Sequence, residues 1–282
     1  MIYFCADDYG LCTRSSERIL ECIDNGVLNK ISVFPNMGQP DLEELLKRDG
    51  VLISLHLNLV EGKCMADPDG LSLLVDKNGN LKNTFGGLFG LWLFKRKQFE
   101  AQAYKEIKAQ VLFFKDIMPD GVKFGIDSHQ HVHMIPSVFK AMMTVLNDEK
   151  IDVEYLRIPT EPLLPFLKTP SLYFTYSAVN IIKQWLLNLL WLTNKRLLKG
   201  CSVKTAKFFG ILFSGKMDRK RVERILPKYV EFAEKSNTDI EVLFHPGYIS
   251  KSESDFTDKN IVFEKFYFSE NRKTEHDSVM EL

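Results

Sequence analysis

The chain has no excess charge of either sign: 37 lysines and arginines balance 37 aspartates and glutamates. A net charge of zero predicts no overall basic field that would collect nucleic acid or an anionic membrane, and it favours a neutral partner. Paired cysteines are missing as well. The five cysteines are scattered along the chain and never form a CxxC pair. This spacing favours neither a disulfide framework nor a thiolate zinc site and predicts reduced, mostly structural thiols.

Long uninterrupted hydrophobic runs are also missing. The best candidate, residues 178–200, is broken by Lys183, Gln184 and Asn188, whereas a membrane-spanning helix needs about 20 apolar residues. The segment therefore predicts an amphipathic helix and no membrane partner. Either burial in the monomer or a homodimer interface would account for its apolar side chains. The first residues lack the charged, apolar and cleavage regions of a secretion signal, so we expect a cytoplasmic protein.

The composition is that of a globular protein, with 282 residues of which 45% are hydrophobic. Short apolar runs alternate with longer segments of helical period, which predicts repeated βα units around a mainly parallel sheet. We expect one domain with two insertions, at about 61–97 and 160–205, that form loops over a site. The candidate strands are Ile2–Cys5, Ile31–Phe34, Leu52–Leu57, Lys123–Asp127, Glu154–Ile158 and Ile240–Phe244.

Three segments have the period of an amphipathic helix. Residues 98–117 repeat apolar side chains every three or four positions, and Arg219–Lys235 does the same. Ser15–Asn25 is the third, with Gly26 as its expected C-cap.

Polar residues occur where the predicted strands end. Because the carboxyl ends of parallel strands line the active site in barrels and in open α/β sheets, these residues should converge on one mouth. They are Asp7-Asp8, His56, His129, Arg157 and His245.

The heptapeptide DSHQHVH, residues 127–133, holds three of the six histidines. Alternate side chains of a strand point to the same side, so Asp127, His129, His131 and His133 would share a face if the extended conformation continued. A single histidine in such a place is usually a hydrogen-bonded loop residue. Three of them with an aspartate favour a metal or catalytic site, since imidazole is the commonest neutral metal ligand.

The other polar motifs have two interpretations each. Adjacent carboxylates at Asp7-Asp8 need a cation, an arginine or a shared proton, although the sequence DDYG also fits a simple turn. His56 and His245 fit satisfied core residues as well as positioned ligands. Arg157 is expected either to pair with Asp7 and keep it ionised or to form an ordinary surface ion pair.

Taken in order, the motifs ADDYG, SLHLNLVEG, DSHQHVHMIP, LRIPTE, FHPGY and NRKTE resemble those of the YdjC-like carbohydrate deacetylases, from residue 6 to about 275. The resemblance implies an α/β fold, a distorted TIM-like (β/α) barrel of mainly parallel strands with insertions over its C-terminal mouth. It also implies removal of N-acetyl groups from amino sugars or short oligosaccharides such as N-acetylglucosamine oligomers. Relatives in this family are often dimers.

The family's site residues match positions of this chain. Metal ligands match Asp8, His56 and His129, and the resemblance implies one divalent ion, Mg²⁺ ahead of Zn²⁺, Mn²⁺ or Co²⁺. The general base matches Asp7, and the acid matches His245. The remaining residues would then orient the ligands or contact substrate: Asp127, His131, His133 and Arg157.

Two other functions fit the same residues. A metal-dependent phosphoesterase would use the same ligands, although phosphoryl transfer usually needs clustered arginines or lysines. A non-catalytic sugar-binding protein on the same fold is the alternative from a different class, because a fold alone does not prove activity.

Overall fold

Seven parallel strands form the centre of the molecule, in a computed structural model that describes residues 1–38, 42–256, 261 and 264–282. Their spatial order is β5-β4-β3-β2-β1-β7-β6, and every neighbouring pair is parallel. All carboxyl ends therefore lie at one edge of the sheet. The strands are β1 (Ile2–Tyr9), β2 (Lys30–Val33), β3 (Leu52–Leu57), β4 (Gly125–Ser128), β5 (Tyr155–Leu156), β6 (Ala206–Phe209) and β7 (Asp239–Phe244).

Helices connect the strands and cover the outer face of the sheet. The longest buries Phe99, Ala103 and Ile107 at four-residue spacing, the period that the sequence predicts for one apolar face. The helices are α1 (Thr13–Asn25), α2 (Leu42–Leu46), α3 (Phe85–Phe94), α4 (Arg96–Ile117), α5 (Pro136–Asp148), α6 (Leu164–Leu167), α7 (Ala178–Asn194), α8 (Arg219–Glu234), α9 (Glu264–Tyr267) and α10 (Glu270–Glu281).

The sheet is curled but does not close into a TIM barrel. A TIM barrel has eight strands in a continuous ring, whereas here β5 and β6 are edge strands. One isolated parallel bridge, Tyr155 with Lys204, joins the two edges in the described part of the chain. The expected TIM-like barrel is thus corrected to a half-barrel that is barrel-like and all parallel.

All six predicted strands and all three predicted helices are present; Leu52–Leu57 has the predicted bounds, and the other elements have shifted ends. The main differences are that β1 continues to Tyr9 instead of ending at Cys5, and that β6 was not predicted. β6 lies directly after the insertion at 160–205, where its four residues carry no separate signal.

Both insertions contain helices as well as loops. The first contains a 3₁₀ turn and α3, and the second contains α6 and α7. No helix in the described ranges is both long and apolar enough to span a membrane.

Candidate metal centre and active-site cavity

A β-bulge places both aspartates of the ADDYG motif at the mouth. The pairing of β1 with β2 skips between Ala6 and Tyr9, and Asp8 has a φ of 71°, a left-handed conformation that is uncommon outside glycine. Adjacent side chains of a regular strand point to opposite faces, but here Asp7 and Asp8 both line one cavity. They therefore lie within β1, not after it as the sequence suggested.

Three ligand atoms face a common point beside β1. Asp8 Oδ1 lies 3.5 Å from His56 Nε2 and 3.4 Å from His129 Nδ1. Ligands about 2.0 to 2.2 Å from one ion stand roughly 3.0 to 3.5 Å apart at octahedral or tetrahedral angles. Asp8 Oδ1 is buried and accepts no hydrogen bond within the described residues. Asp8, His56 and His129 therefore fit a divalent metal ion.

Carboxylates behind both histidines fix the nitrogen that each presents. Asp127 Oδ1 lies 2.6 Å from His56 Nδ1, which leaves His56 Nε2 facing Asp8. Glu61 Oε1 lies 3.2 Å from His129 Nε2, which leaves Nδ1 toward the same point. Such outer carboxylates are usual behind metal-binding histidines, where they set tautomer and ring orientation.

Asp7 is held by an arginine and not by the histidines. Arg157 Nη1 lies 2.7 Å from one oxygen of Asp7, and Nη2 lies 2.8 Å from the other. Arg157 is fully buried, so the interpretation as a surface ion pair is wrong. Burial would raise the pKa of Asp7, but the charge of Arg157 holds that pKa below its ordinary value, and Asp7 is ionised at neutral pH.

A second group of potential ligands, Asp7, His56 and Asp127, also lies close together. All four carboxylate oxygens of this group are already hydrogen-bonded, whereas Asp8 keeps Oδ1 available although its Oδ2 binds Arg272. Arg157 binds Asp7, while Lys30 lies 2.7 Å from Asp127. The group with Asp8 is therefore the better metal site.

The buried ion-pair network around His56 and His129 carries a net charge of −2 if both histidines are neutral. It has five carboxylates against three cations, so a divalent ion would neutralise it. The carboxylates are Asp7, Asp8, Glu61, Asp127 and Glu241, and the cations are Lys30, Arg157 and Arg272.

The pKa of His56 reflects the same excess of negative charge. Burial would lower its pKa, but the charge of Asp7, the hydrogen bond with Asp127 and the nearby carboxylate of Asp8 raise the pKa to about 9. Without an ion, His56 thus takes up positive charge, and the pKa of His129 is likewise raised, against the effect of burial, by Asp8 and Glu61. Metal binding to a histidine nitrogen releases its proton, so a metal and this proton would compete for the same site.

The predicted shared face of Asp127, His129, His131 and His133 is wrong. β4 ends at Ser128, and the chain then turns into a 3₁₀ segment with left-handed φ values at Gln130 (54°) and His131 (58°). His129 and His131 line the cavity.

His133 lies behind the cavity, between Ser128 Oγ at 2.5 Å and the Arg157 carbonyl at 2.9 Å. Burial lowers its pKa to about 4, so His133 is a neutral, satisfied core histidine. Burial likewise lowers the pKa of His131, whose ring packs edge-on against Phe208.

His245, at the end of β7, lines the cavity from the other side. Glu275 of α10 fixes this segment, because its Oε2 accepts the His245 backbone N–H at 2.6 Å and lies 3.3 Å from Nδ1. The imidazole Nε2 is thereby left for the cavity. Arg272, one turn earlier on α10, binds Asp8 and lies over the rings of Phe266 and Tyr267.

The cavity has a volume of about 580 Å³ and two unlike walls. The strand ends supply its acidic and imidazole side chains, while α3, α7 and α9 supply Phe85, Lys183 and Phe266 among others. Residues of both insertions thus line the cavity. Burial lowers the pKa of Lys183 to about 8, against the opposing charges of Asp7 and Glu161.

Sequence reasoning missed several buried charges that organise the site. Lys30 and Glu241 are fully buried and 3.1 Å apart, and Glu61 and Tyr267 support His129. The available signal was a charged residue inside or beside an apolar strand, in NKISVF and DIEVLF. Strands of a parallel sheet covered on both faces are otherwise almost wholly apolar, so such a charge needs an internal partner.

A sequence model of the family described as YdjC-like protein matches residues 1–281. A carbohydrate deacetylase of Danio rerio is 32% identical over 161 residues, which are 57% of this chain and 50% of that protein. A carbohydrate deacetylase of Clostridium beijerinckii is 26% identical over 194 residues, 66% of this chain and 73% of that protein. The human carbohydrate deacetylase is 28% identical over 158 residues, 55% of this chain and 47% of its own length. The match thus spans about half the length of the vertebrate relatives.

Among solved structures, a proposed cellobiose-phosphate cleavage protein from Enterococcus faecalis V583 superposes with a TM-score of 0.66. The superposition covers 99% of this chain and 90% of that one, at 17% sequence identity. At this identity the likeness concerns the fold alone, and it supports the barrel-like architecture described above.

Proposed function

Because the chain belongs to the YdjC-like protein family, we propose that it is a metal-dependent hydrolase that removes N-acetyl groups from amino sugars. The observation that carries the proposal is the cavity in which Asp7, His245 and the group of Asp8, His56 and His129 meet. Amide hydrolysis needs a base for water, an acid for the amine and positive charge at the carbonyl oxygen. The names of the curated relatives support the same activity.

One divalent ion, with Mg²⁺ expected ahead of Zn²⁺, Mn²⁺ or Co²⁺, would be held by Asp8, His56 and His129. It would supply a Lewis acid for the acetyl carbonyl and a lower pKa for the attacking water. Asp127 and Glu61 would keep the two imidazoles aligned for that ion, through the contacts at 2.6 and 3.2 Å.

Asp7 would accept the proton of the attacking water. Its ionised state is favoured by Arg157, and both of its oxygens are fixed in the arginine fork, so it points to the cavity in one orientation. His245 would donate a proton to the departing amine nitrogen, since an amide nitrogen leaves poorly without one. Glu275 would hold the imidazole for this step. His131 lines the same cavity and would contact the substrate, whereas His133 only packs behind it.

A phosphoesterase is the less favoured alternative. Phosphoryl transfer usually relies on clustered cations, but Arg157 and Arg272 are both engaged by buried aspartates. Lys183 is the one lysine or arginine among the residues that line the described cavity. A non-catalytic sugar-binding protein would need no general base, so an ionised Asp7 held beside the ligand group favours an enzyme.

The proposal is tested by acetate release from N-acetylglucosamine and its short β-1,4 oligomers. Metal-stripped protein would be assayed before and after addition of Mg²⁺, Zn²⁺, Mn²⁺ or Co²⁺. We expect release that requires a metal and is lost in Asp7→Asn and in His129→Ala. His276→Ala, which removes a histidine of α10 outside the cavity, is the matched control and should retain activity.

Metal binding without release of acetate from any acylated sugar would contradict the deacetylase. Release of phosphate from sugar phosphates under the same conditions would then support the phosphoesterase. Sugar binding without any turnover would support the binding protein.

A further inference from the structure

Exposed apolar side chains are concentrated in two segments of the chain, residues 77–99 and 162–217. Fifteen large hydrophobic side chains are exposed in the described part of the chain, and thirteen of them lie in these segments. Scattered exposed apolar residues are normal, but a concentration of this kind indicates a binding surface.

The same segments carry charge of one sign. They hold 13 of the 37 lysines and arginines and none of the 37 aspartates and glutamates, which leaves 24 cations against 37 anions elsewhere. The net charge of zero hides this division. The expectation of no membrane partner came from the net charge of the whole chain and from the interrupted apolar run at 178–200. Neither observation excludes attachment of these segments to a membrane surface.

Helix α7 has an apolar stripe that faces solvent. Val179, Ile182, Trp185, Leu189 and Leu192 follow the three- and four-residue spacing of one helix face, and each is between 56% and 71% exposed. The opposite face packs into the protein through Leu187 and Leu190. A helix that is apolar on both faces is normally buried on both, so the outer stripe of α7 lacks its partner.

Helix α3 also ends in exposed apolar side chains that are followed by cations. Phe85, Phe89 and Trp92 pack against the hydrophobic cluster that contains the inner residues of α7. Leu93 and Phe94 at the end of α3 are 53% and 86% exposed, and three cations, Lys95-Arg96-Lys97, follow them directly. On α7 the exposed stripe is followed by Lys195-Arg196. Apolar side chains bordered by cations are typical of helices that lie in the interface of anionic membranes.

The stripe continues into the active-site cavity. Val179 and Ile182 line the cavity and are 71% and 68% exposed, so their side chains belong to both surfaces. Leu186 and Leu187 extend the same wall inward. An aliphatic wall offers no hydrogen bonds to sugar hydroxyl groups, but it fits a hydrocarbon chain that enters from the outer surface.

We propose that α3 and α7 dock the protein on an anionic lipid surface, where the cavity receives an acylated amino sugar linked to a lipid. The substrate part of this inference rests on the proposed deacetylase function, whereas the docking part does not. The helices would lie in the lipid interface without spanning the membrane, and the sugar head group would reach Asp7 and His245.

A second copy of the chain is the less favourable occupant of this surface. A two-fold interface pairs the same patch of both subunits, so a patch bordered by Lys95-Arg96-Lys97 and Lys195-Arg196 would face a second patch with the same positive border. Like charges across an interface oppose association. An anionic bilayer complements both the apolar stripe and its charged border.

Docking is tested by sedimentation of the full chain with vesicles of neutral phosphatidylcholine or of phosphatidylcholine with phosphatidylglycerol. We expect binding to the anionic vesicles that weakens with salt, and little binding to the neutral ones. Tryptophan emission should shift to shorter wavelength on binding, and Trp185→Phe should remove most of the shift.

The variant Lys195→Gln/Arg196→Gln should weaken partitioning about 30-fold, since each cation near an anionic surface contributes about 1 kcal/mol. Lys105→Gln/Lys115→Gln, on the exposed side of α4, removes the same charge and should change nothing. Leu189→Ser/Leu192→Ser should also weaken binding, and neither residue lines the cavity. Absence of vesicle binding, or equal effects of the two charge variants, would overturn the docking.

A concentration-dependent dimer in solution that Leu189→Ser/Leu192→Ser dissociates would also overturn the docking, in favour of a second copy.

The substrate part is tested with N-acetylglucosamine anchored to a lipid in the same vesicles. We expect faster acetate release from the anchored sugar than from equal amounts of the soluble sugar, and loss of the advantage in Lys195→Gln/Arg196→Gln. Equal rates would overturn the lipid-linked substrate. Vesicle binding without release from either sugar would instead contradict the deacetylase function and leave the docking intact.

Discussion

Lys30 provides a quantitative test of the buried charge network. Its ammonium group lies 2.7 Å from Asp127 Oδ2 and 3.1 Å from Glu241 Oε1, and all three side chains are sealed from solvent. Burial alone would lower the pKa of Lys30, but the two carboxylates raise it above its ordinary value. The lysine is therefore charged in the folded protein, and both carboxylates depend on it together with Arg157.

Lys30→Met keeps most of the hydrocarbon stem and removes the charge. Asp127 and Glu241 would then share Arg157, which also binds Asp7, and Asp127 would keep His56 as a second partner. Removal of one partner from a buried ion pair typically costs about 3 to 5 kcal/mol, because the other charge stays buried without compensation. We expect a loss of this size in the free energy of unfolding, measured by urea titration at pH 7 and linear extrapolation.

Lys123→Met is the matched control, because it breaks an exposed lysine–aspartate pair with Asp152 and should cost no more than about 1 kcal/mol. Lys30→Met/Glu241→Gln should recover part of the loss, since it removes one of the two stranded anions. The reasoning is refuted if Lys30→Met costs no more than Lys123→Met, or if the second substitution makes the loss larger.

Three further predictions concern the site and the thiols. Asp127→Asn should weaken metal binding about 10- to 100-fold in competition with a chelating dye, because His56 loses the carboxylate that orients it. Lys183→Met should raise the free energy of unfolding at pH 7 by about 1 to 2 kcal/mol, allowing for its partial exposure, because burial lowers the folded-state pKa to about 8. The unfolded lysine keeps its higher pKa, so urea titrations should show the gain disappearing between pH 8 and about pH 10.5. Cys201, which is exposed, should react with a thiol reagent in the native protein, whereas Cys22, whose pKa burial raises to about 12, should react only after unfolding.

Periodicity in the sequence was sufficient for most of the sheet because six strands are apolar runs bordered by longer helical segments. It failed for β6, whose four residues follow an insertion that is itself rich in apolar residues. It also ended β1 too early, since Asp7 and Asp8 interrupt the apolar pattern although the strand continues through the bulge. A strand that carries its functional residues on a bulge does not have the regular alternation that identifies strands.

The histidine run illustrates a different limit. Even spacing at 129, 131 and 133 suggested one face, but left-handed φ values at Gln130 and His131 send the three side chains to different surroundings. Those φ values depend on tertiary contacts that no local pattern contains. The same applies to Lys30, whose partners Asp127 and Glu241 are far away in the sequence. The resemblance to a family assigned Asp8, His56 and His129 to one metal site, whereas the local sequence around each residue identified it only as a separate candidate.

The group of Asp8, His56 and His129 could hold a metal ion, and we propose that hydrolysis depends on one divalent ion there. The most direct test is to titrate metal-stripped protein with Mg²⁺, Zn²⁺, Mn²⁺ or Co²⁺ while bound metal and acetate release are measured in the same sample. We expect acetate release to rise with bound metal and to saturate at one equivalent, and Asp8→Asn to lose both. Full activity in the metal-stripped protein, or one bound equivalent that survives Asp8→Asn, would contradict the proposal.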